Sequence, residues 1–247
     1  MKNNLPEVKA EIYGTRNSNL EPVLNKFNIY YIKNLWIISH IKSKKKMIGI
    51  ESNNKKDIFH FENLVKKFGI KNYFFVFKDI DKNKIYFRYN QDKTLVLTEN
   101  ELKNYLLGLF EVNFISNPKK GSNEASFFSR FFREKMGKGF VLTDIDYYIP
   151  SMNIFIEEKI YLLNKKNGFI SYGQYKNFTS IEGIKNNLML MYSQNISNKV
   201  CFYCVELNKI KKKFINEKKW GKGYIINNLK KIDITEILTQ KMELELS

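Results

Sequence analysis

The stretch Thr143-Asp-Ile-Asp-Tyr-Tyr-Ile-Pro-Ser-Met-Asn-Ile-Phe-Ile-Glu-Glu-Lys159 decides how this chain is read. Val141 to Ile149 has the composition of a strand, with acids at the alternate positions Asp144 and Asp146. Pro150 to Asn153 carries turn chemistry, and Ile154 to Leu163 returns as a second strand. Side chains alternate along a strand, so Glu157 and Lys159 share one face and Glu158 takes the other, as a structural or surface residue. Pairing through the Pro150 turn brings Asp146, Glu157 and Lys159 to a common point. Charges set among Ile145, Ile149, Ile154, Phe155, Ile156 and Ile160 are costly unless they are paired or bind a metal. The two carboxylates supply hard oxygen ligands suited to Mg²⁺, with substrate phosphate and water completing the shell. Lys159 then lies near the attacking water or the charge developing on phosphate. The plainer account is an edge hairpin with a salt bridge, worth about 0.2–1 kcal/mol at a surface.

Asp146 followed by Glu157-Glu158-Lys159 resembles the PD-(D/E)xK nuclease superfamily over Ala125 to Phe178. The resemblance implies an α/β fold, a mixed β-sheet flanked by helices with a restriction-endonuclease-like catalytic core. It implies catalytic roles for Asp146, Glu157, Lys159 and Gln174. It also implies a Mg²⁺ site on Asp146 and Glu157, with Asp144 as auxiliary ligand. Gln174 matches a glutamine that follows the active-site strand in several branches, although Phe178 stands where one branch pattern has tyrosine. Ile145 stands where the motif has proline, and the choice of Asp144 or Asp146 as principal ligand is open. In such nucleases an acid of the preceding helix approaches the metal. Glu124 and Glu134 are the candidates, with helix capping or solvent exposure as their simpler role.

Working outward, Phe127, Phe128, Phe131 and Phe132 form a helical stripe of core packing before Gly137 and Gly139. The polar run Ser116 to Asn123 marks a boundary between an N-terminal mixed α/β region, 1–115, and a catalytic nuclease core, 116–247. The first region is assigned to DNA recognition or dimerisation. Within it we expect a hairpin around the lysine-rich turn at 42–46, a helix at 58–68 and a hairpin from 73–78 to 84–89. A further helix is expected after Thr98, whose partner in a capping box is Glu101. Beyond the motif, 168–173 reads as a breaker-rich connection and Gln174 to Leu190 as a helix, broken or starting near Ser180. Strands at 200–207 and around 224–226 follow.

The chain has 247 residues, 43% hydrophobic and 15% aromatic, which excludes intrinsic disorder. Lys and Arg number 42 against 25 acids, a net charge of +17 that favours polyanions. Arginine occurs only at Arg16, Arg88, Arg130 and Arg133, and an AT-rich coding sequence accounts for part of the lysine excess. Cys201 and Cys204 have no second pair to complete a zinc site, and read as reduced structural thiols in a strand. No apolar leader opens the sequence and no run approaches the roughly 20 residues that cross a bilayer, so the expectation is a cytoplasmic protein without membrane insertion. The reading is a Mg²⁺-dependent endodeoxyribonuclease acting on double-stranded DNA, of type II restriction character and compatible with a homodimer. The alternatives are a non-catalytic nucleic-acid-binding protein and a nuclease for branched DNA or RNA.

Overall fold

Alternation on a few strands explains how the layers of this protein are assembled. The computed structural model describes residues 18–112, 126–137, 139–160, 167–196, 199–217, 221–234 and 236. Helix α1 (Glu21–Lys26) precedes strands β1 (Leu35–His40) and β2 (Lys46–Glu51), the expected antiparallel hairpin. Helix α2 (Lys55–Lys67) crosses over to β3 (Tyr73–Asp79), which lies parallel to β2. Next come β4 (Lys84–Tyr89), β5 (Leu95–Leu97) and α3 (Glu99–Phe110), whose Thr98 and Glu101 form the capping box. Helix α4 (Phe127–Phe131) continues as a π-helical turn to Met136, and β6 (Phe140–Ile145) follows. These six strands form one sheet in the order β5-β4-β3-β2-β1-β6. Because β6 pairs with β1, that sheet continues across the 115/116 boundary read from the sequence. The boundary run itself lies outside the described residues.

The remaining strands build two further sheets. These are β7 (Tyr147–Ile149), β8 (Ile154–Lys159), β9 (Gly168–Ser171), then helices α5 (Tyr172–Phe178) and α6 (Glu182–Asn187). After them come β10 (Leu188–Ile196), β11 (Lys199–Glu206), β12 (Lys212–Glu217), β13 (Gly221–Ile226) and β14 (Lys230–Ile232). The second sheet has the order β14-β11-β10-β8-β7 and the third β12-β13-β9. The architecture is therefore a mixed α/β fold of several sheets flanked by helices.

Three expectations change. The strand read as Val141 to Ile149 is bent at Asp146, so that β6 joins the first sheet and β7 the second. The segment from Gln174 to Leu190 is two short helices, and its apolar end Leu188-Met-Leu-Met-Tyr192 is the start of β10, parallel to β8. The glycine-rich connection contains β9. A Cβ on Gly168 would lie 2.3 Å from the ring of Tyr192, so glycine here admits an aromatic ring against the strand.

On β1, Leu35 and Ile37 enter the core between the sheets, with Phe61, Phe75, Phe155 and Phe178. Trp36 and Ile38 face the other way, into a layer with Phe74, Phe87, Phe128 and Phe131 beneath α3 and α4. The phenylalanine stripe is thus core packing. On β8, Phe155 faces the first core while Ile156 packs with Leu20, Leu24 and Met191 under α1.

Candidate active site

The bend from β6 to β7 fixes the first site residue. Ile145 pairs with Leu35 and Tyr147 with Ile156, which leaves Asp146 at the crossing between two sheets. The backbone N–H of Glu158 donates to Asp146 Oδ2 at 2.6 Å and fastens the bend to β8. The turn after β7 is closed by the Asn153 N–H donating to the carbonyl of Pro150 at 3.1 Å.

Alternation then sorts the next three residues. Glu157 and Lys159 follow Phe155 onto the inner face of β8, where Glu157 is 1% exposed. Lys159 Nζ donates to Glu157 Oε1, and Gln174 Nε2 donates to the same oxygen at 3.0 Å. Glu158 faces the other way, and its carboxylate accepts from the Ser18 hydroxyl at 2.5 Å and the Asn19 N–H at 3.0 Å.

Gln174 is held in place by both ends of α5. Ser171 Oγ caps the helix, accepting from the Gln174 N–H at 3.3 Å, and donates to Gln174 Oε1 at 3.2 Å. Farther along, buried Asn177 donates to Thr143 Oγ1 and accepts from Ser39 Oγ, both at 2.7 Å. These bonds dock α5 on β1 and β6. Ser171 was missed in the sequence, although Ser171-Tyr-Gly-Gln174 has the S-x-x-Q spacing of a helix start. Asn177 had no such signal, because its partners lie on strands far away in sequence.

The structure therefore gathers Asp146, Glu157, Lys159 and Gln174. Asp144 lies on β6 opposite Trp36 with its side chain exposed, and its charge is felt by both inner acids. Glu134 makes no hydrogen bond or ion pair with Asp146, Glu157 or Lys159. Glu124 lies outside the described residues. The Cys201 and Cys204 thiols are free on β11, and burial pushes the Cys204 thiol up to about 11.

Burial dominates the electrostatics. It raises the Asp146 carboxyl well above the usual range, reinforced by the charges of Glu157 and Asp144 and opposed by Lys159. Burial likewise pushes Glu157 up to about 7 despite the Lys159 ammonium beside it. For Lys159, desolvation works against the charge, but Glu157, Asp146 and Asp144 together outweigh it and the ammonium is held above its usual range. Lys159 is thus a fixed positive charge and a poor proton acceptor. The acids, by contrast, lack sufficient positive charge for both to ionise easily.

Among the described residues, Glu157 Oε2 is buried with no hydrogen-bond partner, although Oε1 has two. An orphaned carboxylate oxygen is costly, and a cation is one way to satisfy it. Among the described residues no group of three or more His, Cys, Asp or Glu side chains is arranged to hold a metal ion. Mg²⁺ is commonly held by one or two carboxylates with water and substrate phosphate, so Asp146 and Glu157 have the chemistry that ion takes. No protein-family profile matches the chain, and no curated protein matches it.

Proposed function

We propose that this protein is a metal-dependent endonuclease that hydrolyses phosphodiester bonds in DNA, with Asp146, Glu157, Lys159 and Gln174 at the reacting phosphate. The observation that carries the reading is the orphaned Glu157 Oε2, buried beside a second raised carboxyl and a lysine that stays charged. Asp146 and Glu157 would hold Mg²⁺, which when bound supplies Lewis acidity toward phosphate oxygens and acidifies a bound water. Lys159 offers a fixed charge to the phosphate oxygens as negative charge develops there. Gln174 and Lys159 together fix the rotamer of Glu157, so one carboxylate oxygen is committed to protein and the other is left for a ligand. The resemblance to PD-(D/E)xK nucleases is supported by an Asp beside a Glu-x-Lys strand, a following helix with glutamine, and a strand returning parallel to the first. A restriction-type homodimer presenting one such site to each strand of a duplex is the proposed setting.

A second reading has its own support: Glu157 Oε1 is already satisfied by Lys159 and Gln174, as in a structural ion-pair network. The protein would then bind nucleic acid without cutting it. The deciding experiment incubates parent and Glu157→Gln protein with plasmid, linear duplex, single-stranded DNA, branched DNA and RNA, with Mg²⁺, Mn²⁺ or EDTA. Metal-dependent cleavage by the parent that is lost in Glu157→Gln supports the enzyme. Binding without cleavage by either protein would exclude it.

A further inference from the structure

While Gln174 points from α5 toward Glu157, another part of the same helix presents Tyr172 and Tyr175 to the third sheet. The Tyr224 ring of β13 lies 4.8 Å from Tyr175 and 6.2 Å from Tyr172. Phe214 of β12 is paired with Tyr224 across the strands, with their rings 5.5 Å apart, and lies 6.3 Å from Tyr172. Phe214 is 46% exposed, unusual for a phenylalanine in a four-ring cluster. Lys212 Nζ sits 4.0 Å from the centre of the Tyr175 ring, and Lys222 and Lys176 sit 5.2 and 5.9 Å from that of Tyr172. All three lysines are exposed, and among the described residues no carboxylate pairs with them.

Such a surface suits a ligand that is flat and apolar in one part and anionic in another. Nucleobases stack on aromatic rings and phosphates follow lysines, a combination that tolerates any base because every base has a π-face. In a regular duplex those faces are covered by neighbouring pairs, whereas an unpaired strand offers them. We propose that Tyr172, Phe214 and Tyr224, framed by Lys176, Lys212 and Lys222, form a binding platform for an unpaired strand of DNA. The choice of DNA rests on the function proposed above. The platform shares α5 with Gln174, whose side chain reaches Glu157. The substrate is then DNA with an unpaired stretch next to the bond that is cut.

The test measures fluorescence anisotropy of labelled oligothymidylate with the full chain in EDTA, where cleavage plays no part. Competitors are an RNA strand of the same length, a blunt duplex and phosphatidylserine vesicles. Phe214→Ala, at an exposed position, is expected to weaken strand binding about tenfold. Lys222→Gln should reduce the slope of log affinity against log salt by about 0.7. Phe59→Ala, at an exposed ring on α2 outside both the platform and the acidic site, should bind as the parent does. Because the assay reads binding in EDTA, its outcome is separate from the nuclease reading. Platform binding that persists in a protein with no cleavage activity would sustain the platform and remove the enzyme. Equal affinity of parent and Phe214→Ala, or stronger competition by RNA, duplex or vesicles than by unlabelled DNA strand, would overturn the proposal.

Discussion

The outer layer of the first sheet and the inner face of the β7–β8 hairpin beside α5 both bury side chains, but of opposite chemistry. The first packs Phe74, Phe87, Phe128 and Phe131 beneath α3 and α4. Its ionisable groups are set at its margin: Glu51 accepts from the Ser126 hydroxyl and from the N–H groups of Phe127 and Phe128 at the start of α4. The second region places Glu157 inside and Asp146 and Lys159 at its mouth, with burial raising both carboxyls. Aromatic packing stabilises a fold by removing apolar area from water, whereas buried carboxylates are seldom the most stable filling for their volume. The contrast teaches where the molecule is built for persistence and where it retains charge at a cost to stability.

That contrast can be broken at either end. Phe128→Ala should lower unfolding free energy by about 3–5 kcal/mol in a denaturant titration, with metal affinity of the folded protein unchanged. A loss below about 1 kcal/mol would show that this layer repacks easily. Lys159→Ala should slow single-turnover cleavage by about 10²–10³-fold, while DNA affinity changes far less because one lysine is a small part of the phosphate-contacting charge. An unchanged rate would remove Lys159 from the chemistry. Gln174→Ala, which frees the Glu157 rotamer, should cost about 10–100-fold in metal affinity by calorimetry, with a smaller change in melting temperature.

The pH dependence sharpens the same point. Glu157 releases its proton near pH 4.5 when unfolded and near 7 in the metal-free fold, so between those values the folded state holds more protons. Stability of the metal-free protein should therefore fall as pH rises from about 4.5 to about 7. Thermal melts in EDTA should record that fall, and Glu157→Gln should reduce its slope, leaving the part that belongs to the raised Asp146 carboxyl. A slope that survives unchanged in Glu157→Gln would assign the proton to another group. The smallest effect belongs to Asp144→Asn, exposed on β6, which should leave stability within about 0.5 kcal/mol.

Elements set by local rules were legible in the sequence. The lysine turn between β1 and β2, the Thr98–Glu101 cap and the Pro150 turn each specify a conformation over a few residues. The placement of Glu157 and Lys159 on one face followed from strand alternation alone. What escaped was decided by distant contacts. Nothing near Asp146 shows that the strand changes sheets there, because the bend depends on β1 claiming Ile145 and β8 claiming Tyr147. Leu188 to Tyr192 is apolar throughout and fits a buried helix as well as a strand. Its pairing with β8 settles the matter. Gly168 looked like a breaker because the ring it accommodates, that of Tyr192, is 24 positions away in sequence.

The Glu158 clasp on Ser18 and Asn19 has a mechanical meaning beyond tethering a helix. A slip of β8 by one residue would turn Glu158 inward and send both neighbouring charged side chains to the back of the sheet. By gripping the chain just ahead of α1, this carboxylate acts as an index pin. Whatever loosens the pin lets β8 drift out of register without touching an atom of Glu157 or Lys159.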